Sequence, residues 1–314
     1  MSEPAAEFAR APLLDIVAHL RAALAGSAAA VSLQVLDPDH GRGSYAGEQV
    51  TVGSARYIHR PFRVWVELAE RLGLRLLTPR PAAAPLIELR FERLDPATGW
   101  QKDAPADPTE KYGAASGFAR ISKLEEPGFL VDFAEALARV DLQPGARVLD
   151  LGVNTGDELA LIGALAPGLG DQVSFVGVDH SRSALAVARQ RFPGSRFHFV
   201  DADLGQLAGL DVGAFDLVVC IGTLQSPGID DRELLRHIVQ RRLLPGGSVI
   251  LGFPNCRYVD GEVQQGTRMV NFREPELGLL IKDVAFYRKY LQQHHRQVHV
   301  TGSRYVLVTG VPAR

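Results

Sequence analysis

Downstream of residue 146 the chain alternates short apolar runs with stretches of helical period. VLDLG (148–152) leads into a helix to about 165, FVGVD (175–179) into a helix from Ser183 to Phe192, and FHFVDAD (197–203) follows. The alternation continues with FDLVVCIG (215–222), a helix over 231–243, and SVILGFPN (248–255). Continuous apolar strands separated by amphipathic helices predict a parallel sheet covered on both faces. The end of the chain breaks the rule. After a helix over 282–295, QVHVTG and RYVLVTGVP flank Gly302-Ser303, which predicts a β-hairpin rather than another crossover.

Residues 1–95 have a different rhythm: a helix over PLLDIVAHLRAALA, strands near VSLQVL and EQVTVG, a helix over PFRVWVELAERLG, then strands RLLTP and LIELRFERL. This predicts a small α+β domain with an accessory or substrate-recognition role. Residues 96–117, rich in Pro, Gly, Asp and Ala, read as a linker or lid. Residues 118–314 form the larger domain, entered through a helix over GFLVDFAEALARV that Pro144-Gly145 stops.

Composition changes this picture little. With 314 residues, 46% hydrophobic and 22% charged, the chain has the profile of an ordinary globular protein. Its formal net charge of -2 gives no general attraction to nucleic acid or anionic membrane. Two cysteines supply neither a disulfide framework nor a metal cluster, and they fit a reducing, cytoplasmic setting. No window reaches the roughly 18–20 uncharged apolar residues that a membrane span needs.

The candidate chemistry centres on RVLDLGVNTGD (147–157), where an apolar strand ends in an acid and a glycine loop opens a helix. Such a loop offers backbone N–H groups and close approach to a ligand. A dinucleotide fingerprint needs G-x-G-x-x-G. Here the order is Asp150, Gly152, Asn154, Gly156, which resembles the D-x-G-x-G-x-G motif of class I S-adenosylmethionine-dependent methyltransferases. Asn154 stands where that family usually has its middle glycine, and Asn tolerates the left-handed backbone best among the other residues.

The resemblance covers residues 118–314 and implies a Rossmann-like class I methyltransferase sheet, five parallel strands plus the terminal antiparallel hairpin, with S-adenosyl-L-methionine as cofactor. It implies that Asp150 addresses the cofactor's amino-acid end and that Gly152, Val153, Asn154 and Gly156 line it. Asp179, followed by His180 and Ser181, would accept the ribose hydroxyls. Asp203 would receive the adenine amino group beside the Leu204 N–H, with Asp201 a competitor on the same strand face. Cys220, Ile221 and Gly222 would lie beneath the adenine and sulfonium, and Tyr112 or Arg120 would reach the cofactor carboxylate, unless Arg120 pairs with Glu125 or Glu126. An acid at a strand end can equally be a helix cap or turn residue.

Beyond the fifth strand, Asn255, Cys256, Arg257 and Tyr258 are the substrate-side candidates. A nucleophilic role for Cys256 competes with a structural one, because the Pro-Cys signature of pyrimidine-carbon methylators is absent after the fourth strand, as is the N-P-P-Y box of amino-nitrogen methylators. The expected activity is transfer of a methyl group by in-line displacement to a small-molecule acceptor, with no catalytic base assigned. The alternative is an RNA methyltransferase that uses residues 1–95 for recognition, through Arg56, Arg60, Arg63, Arg71, Arg75 and Arg80 among Tyr57, Phe62 and Trp65. Against it, acids outnumber bases over residues 1–110. A third possibility is a methyltransferase fold that only binds.

Overall fold

The computed structural model describes residues 5–26, 28–40, 42–102, 105–265 and 277–313. The chain divides into two compact units, Met1–Thr98 with Tyr258–Gln264, and Gly99–Arg257 with Gln265–Arg314.

In the first unit, β1 (Ala6–Glu7), α1 (Leu13–Ala25), β2 (Ala30–Leu36), β3 (Gln49–Val52), β4 (Ala55–Ile58), α2 (Phe62–Leu72), β5 (Leu74–Leu76), β6 (Arg80–Pro81) and β7 (Leu86–Arg93) follow in order. The main sheet runs β1-β2-β7-β5, with β6 on β7. The apolar stripes of α1 and α2 meet the inner face of β2 and β7 around Ile16, Leu20, Leu33, Trp65, Leu89 and Phe91. EQVTVG does not join this sheet. It pairs as β3 with β4 in a separate hairpin, a partner too short and polar for its alternation to stand out.

Residues 258–264 complete this unit. Arg75 Nε donates to Glu262 Oε1 at 3.0 Å and its guanidinium also donates to the Asp260 carbonyl, while Asp260 accepts from Thr98 Oγ1 at 3.2 Å.

The second unit holds α3 (Pro127–Ala138), β8 (Arg147–Leu151), α4 (Asp157–Leu165), β9 (Ser174–Asp179), α5 (Arg182–Arg191), β10 (Phe197–Asp201), β11 (Phe215–Ile221), α6 (Asp231–His237), β12 (Leu243–Pro254), β13 (Cys256–Val259), β14 (Glu262–Gln265), α7 (Leu277–Gln293), β15 (Arg296–Gly302) and β16 (Tyr305–Pro312). Of these, the second half of β13 and all of β14 but Gln265 belong to the first unit.

Its seven-stranded sheet has the order β10-β9-β8-β11-β12-β16-β15. The first five strands are parallel, and β16 inserts antiparallel between β12 and β15, as the terminal hairpin predicted. The centre of the sheet is apolar on both faces because helices cover both: Leu149, Leu151 and Val218 join one core, Val148, Leu217 and Val219 the other. Strand order reverses between β8 and β11, and the crevice beyond their carboxyl ends is where ligands bind in open α/β sheets.

Several element boundaries differ from expectation, α7 running over Leu277–Gln293 and β12 starting at Leu243, and two have a local cause. The helix predicted over 231–243 stops at His237 and continues as a π turn over Ile238–Arg242. That turn carries Arg242 inward, where Nη2 donates to the Leu207 and Leu210 carbonyls at 2.6 and 2.7 Å and satisfies a buried loop. Strand FHFVDAD ends at Asp201 because Asp203 caps the 3-10 turn Leu204–Gly209.

Within the span read as linker or lid, the second unit begins with 3-10 turns at Trp100–Lys102, Pro108–Tyr112 and Gly117–Arg120, and a fourth follows at Lys123–Glu125. Trp100, Tyr112 and Phe118 meet edge-on or tilted at centroid distances of 5.0–5.4 Å, so that Trp100 clasps residues 105–120. We call this segment the arm.

Candidate functional site

The loop that follows β8 is left-handed at Gly152 (φ 79°), Asn154 (φ 46°) and Gly156 (φ 87°). A side chain at Gly152 would put its Cβ 2.1 Å from Thr223 Oγ1, and one at Gly156 would lie 2.6 Å from the Phe192 ring. The two glycines therefore answer to close packing as well as to backbone sign. The Asn154 N–H donates to Asp179 Oδ2 at 2.9 Å and the Ser181 N–H to Asp179 Oδ1 at 2.8 Å. One carboxylate thus ties the loop after β8 to the turn after β9.

Asn154 does more than tolerate its conformation. Its Oδ1 accepts the Thr155 N–H at 2.9 Å, and its Nδ2 donates to the Tyr112 carbonyl at 2.7 Å. The residue that departs from the glycine motif is thereby the anchor of the arm. A second anchor lies two residues upstream of Tyr112. Glu110 accepts from Ser181 Oγ at 3.0 Å, from the Ser183 N–H at 3.2 Å and from Ser183 Oγ. The Ser183 bonds hold its carboxyl below the usual carboxylate range against the opposing effect of burial.

Asp150, the penultimate residue of β8, has 1% exposure, and its Oδ2 is buried without a hydrogen-bond donor. Electrostatically coupled to it is an ion pair, Lys123 Nζ to Glu158 Oε1 at 2.6 Å, with Glu158 buried and Lys123 half-buried. Burial, then Glu158, push Asp150 well above its ordinary value, with Asp179 and Asp157 adding to the effect and Lys123 opposing it. Burial pulls Lys123 down, but Glu158 more than offsets this and holds its ammonium above the usual range. Asp157 is paired with Arg191 at 2.7 Å.

The remaining sequence candidates are spread around this centre. Val153 is fully buried against Gly177, where any added Cβ would meet it at 2.8 Å. His180 is half-buried and electrostatically coupled to Asp107 of the arm. Asp203 is exposed, and its Oδ1 caps the Gly205 N–H at 2.7 Å, while Leu204 is buried in the core. Asp201 instead pairs with Arg182 at 2.8 Å on the surface. Cys220 and Ile221 are buried, the Cys220 thiol is pushed far up by burial, and the Gly222 N–H bonds the Gly252 carbonyl at 2.8 Å.

Arg120 is exposed and, among the described residues, forms no ion pair with Glu125 or Glu126. Asn255 holds the terminal hairpin, donating from its N–H to the Arg304 carbonyl at 2.7 Å and from Nδ2 to the Ser303 carbonyl at 3.0 Å. Cys256 is 5% exposed. The division between units falls between Arg257 and Tyr258, so the four substrate-side candidates do not stand on one body.

Sequence reading missed Glu110, Lys123, Glu158 and Gln225. Gln225, three residues past Gly222, is 3% exposed, and neither amide heavy atom has a hydrogen-bond partner. Its one sequence signal was position, as the first amide side chain beyond a central strand at the switch point. Among the described residues no cluster has the makings of a metal site, and no helix is long and apolar enough to cross a membrane.

Residues 149–249 match a family described as "Methyltransferase domain". Residues 149–249 thus carry a domain of the class I S-adenosylmethionine-dependent methyltransferase kind, a family that implies S-adenosylmethionine as cofactor. Within that class the stretch is similar to trans-aconitate 2-methyltransferase of Variovorax paradoxus, 36% identical over 123 residues, or 39% of this chain and 44% of the relative. It is also similar to the enzyme of the same name from Delftia acidovorans, 33% identical over 124 residues, or 40% and 44%. The chain thus spans less than half the length of the curated relatives it matches. An O-methyltransferase family protein from Burkholderia thailandensis superposes with a TM-score of 0.43 at 18% identity, over 61% of this chain and 57% of that one.

Proposed function

We propose that this protein transfers a methyl group from S-adenosylmethionine, by in-line displacement, to a small carboxylic acid. The observation that carries the reading is the pair of strand-end acids, Asp150 and Asp179, on either side of a left-handed glycine loop. The residues present fit the cofactor. The donor-less Oδ2 of Asp150 suits an ammonium. Each oxygen of Asp179 already holds one N–H, and a carboxylate oxygen has capacity for another donor, so the pair suits a ribose diol. Gly152, Val153, Asn154 and Gly156 shape the loop, with His180 and Ser181 beyond the ribose acid. Asp203 keeps an oxygen for an adenine amino group beside Leu204, and Cys220, Ile221 and Gly222 form the floor.

The cofactor supplies an activated methyl on a sulfonium; the protein's part is alignment and exclusion of water. A carboxylic acid acceptor arrives ionised at neutral pH, so its oxygen attacks without a base. The acceptor class is drawn from the names of the similar proteins. Acceptor recognition by the first unit and by Asn255 to Tyr258 belongs to the same proposal.

The RNA alternative has less support in residues 1–95, since Trp65 is 1% exposed, Tyr57 8% and Arg60 4% and only Phe62 of the three aromatics, at 43%, is open to stacking. Two measurements test the proposal: calorimetric binding of S-adenosylhomocysteine, and transfer of labelled methyl to a panel of small di- and tricarboxylic acids against total RNA. Binding with label on an acid supports it. Label on RNA alone, or no binding at millimolar ligand, overturns it.

A further inference from the structure

Four acids gather at the carboxyl ends of β8 and β9, and three of them have partners for their oxygens. Glu158 has Lys123, Asp157 has Arg191, and Asp179 has the N–H groups of Asn154 and Ser181. Asp150 has an oxygen with no donor at all. Of the other titratable groups facing this cluster, Cys220 from β11, Glu126 from the start of α3 and Tyr305 from β16 are pushed up by burial, toward their neutral forms, with Arg304 and Lys123 opposing the shift at Glu126.

Lys123 matches Glu158 and Arg191 matches Asp157, while Asp179 keeps its negative charge, so an ionised Asp150 would put a second uncompensated charge into a buried site, at a cost of several kcal/mol. In the ligand-free protein a protonated Asp150 avoids that added charge. An incoming ammonium reverses this, because it cancels the charge that Asp150 takes on.

Resting on the cofactor reading above, we propose that Glu158 and Lys123 are positioning residues of the cofactor site, and that the cofactor's α-ammonium binds Asp150 in exchange for one proton, released to solvent. The ion pair fixes one full carboxylate next to Asp150 and sets the protonation state that the incoming ammonium meets. No bond is made or broken except the O–H of the Asp150 carboxyl.

The test is calorimetric titration with S-adenosylhomocysteine near pH 6, where the ligand amine is fully protonated, in buffers of low and high ionisation enthalpy. The expected result is release of about one proton on binding, and affinity that tightens about tenfold per pH unit until Asp150 ionises unaided. In Glu158→Gln, Lys123 is left with Asp150 as its carboxylate, so proton release shrinks and the pH dependence flattens. A purely structural Glu158 would shift affinity equally at every pH. Asp150→Asn, close in shape, serves as a second variant and abolishes the release. Binding by the wild type without proton exchange and with pH-independent affinity overturns the inference and leaves the cofactor reading standing; no binding at any pH overturns both.

Discussion

Asn154→Asp changes one side-chain atom of the loop and preserves its shape. The Asn154 amide is oriented by its partners, since Oδ1 accepts from the Thr155 N–H and Nδ2 donates to the Tyr112 carbonyl. Asp keeps the first bond and the tolerance for a left-handed backbone. It replaces the second bond with two acceptors facing each other across 2.7 Å, next to the carboxylate of Asp179. Losing the bond costs about 1 kcal/mol, and leaving two partly buried acceptors opposed costs about 1 more.

The arm's opening free energy should fall by about 2 kcal/mol, which makes amide exchange roughly thirty times faster. The reporters are the N–H groups of Gly113 and Ser116, bonded within the arm to the Glu110 and Gly113 carbonyls. Hydrogen exchange read by mass spectrometry on the ligand-free protein measures them, with the β8 and β11 amides as an unmoved control. Arm exchange within about twofold of wild type, or equal loosening of the sheet, would refute the reasoning, because 2 kcal/mol confined to the arm allows neither. Asn154→Gly should fall between the two proteins: it loses both side-chain bonds but sheds about 1 kcal/mol of left-handed strain.

Three further outcomes are expected. Glu110 is held below its unfolded value chiefly by Ser183, so its contribution is fully present above that unfolded value and is lost as pH falls through the lower folded one. The thermal stability advantage of wild type over Glu110→Gln should therefore persist at neutral pH and vanish in acid below about pH 4; an advantage that grows on acidification contradicts this. Gly152→Ala should cost more than about 2 kcal/mol in denaturant unfolding, from positive φ and from the collision with Thr223. Thr223→Ala in the same chain should recover only the collision part. Gln225→Met removes two unsatisfied buried atoms and should leave the ligand-free protein equally stable or up to about 2 kcal/mol more so; a loss of that size would mean the amide is bonded after all.

Period and turn chemistry made the larger domain legible. Runs such as FDLVVCIG could only be central strands, and Gly302-Ser303 between two alternating runs could only be a hairpin. Asp150 and Asp179 were readable for the same reason, because a strand's last residues are fixed in space once the strand is. The arm was not readable: its Pro, Gly and Asp content is that of a linker, and nothing local reveals that Glu110 finds Ser183 seventy-three positions later. Lys123 and Glu158 were hidden likewise. In sequence Glu158 is an acid in a first helical turn, favourable there for the dipole alone, and only tertiary packing makes it the partner of a half-buried lysine. Asp203 reads alike as ligand residue and as cap, and the cap is the role filled in the fold.

The excursion at residues 258–264 gives the chain a particular order of assembly. The first unit is written in two pieces, and Arg75 meets Asp260 and Glu262 only after five strands of the other unit have been synthesised. On a ribosome working from the N-terminus, residues 1–98 emerge early yet wait for their final contacts until residue 264 is out. A fragment cut at 98 lacks those contacts altogether, so the two bodies share a single biogenesis although each keeps its own core.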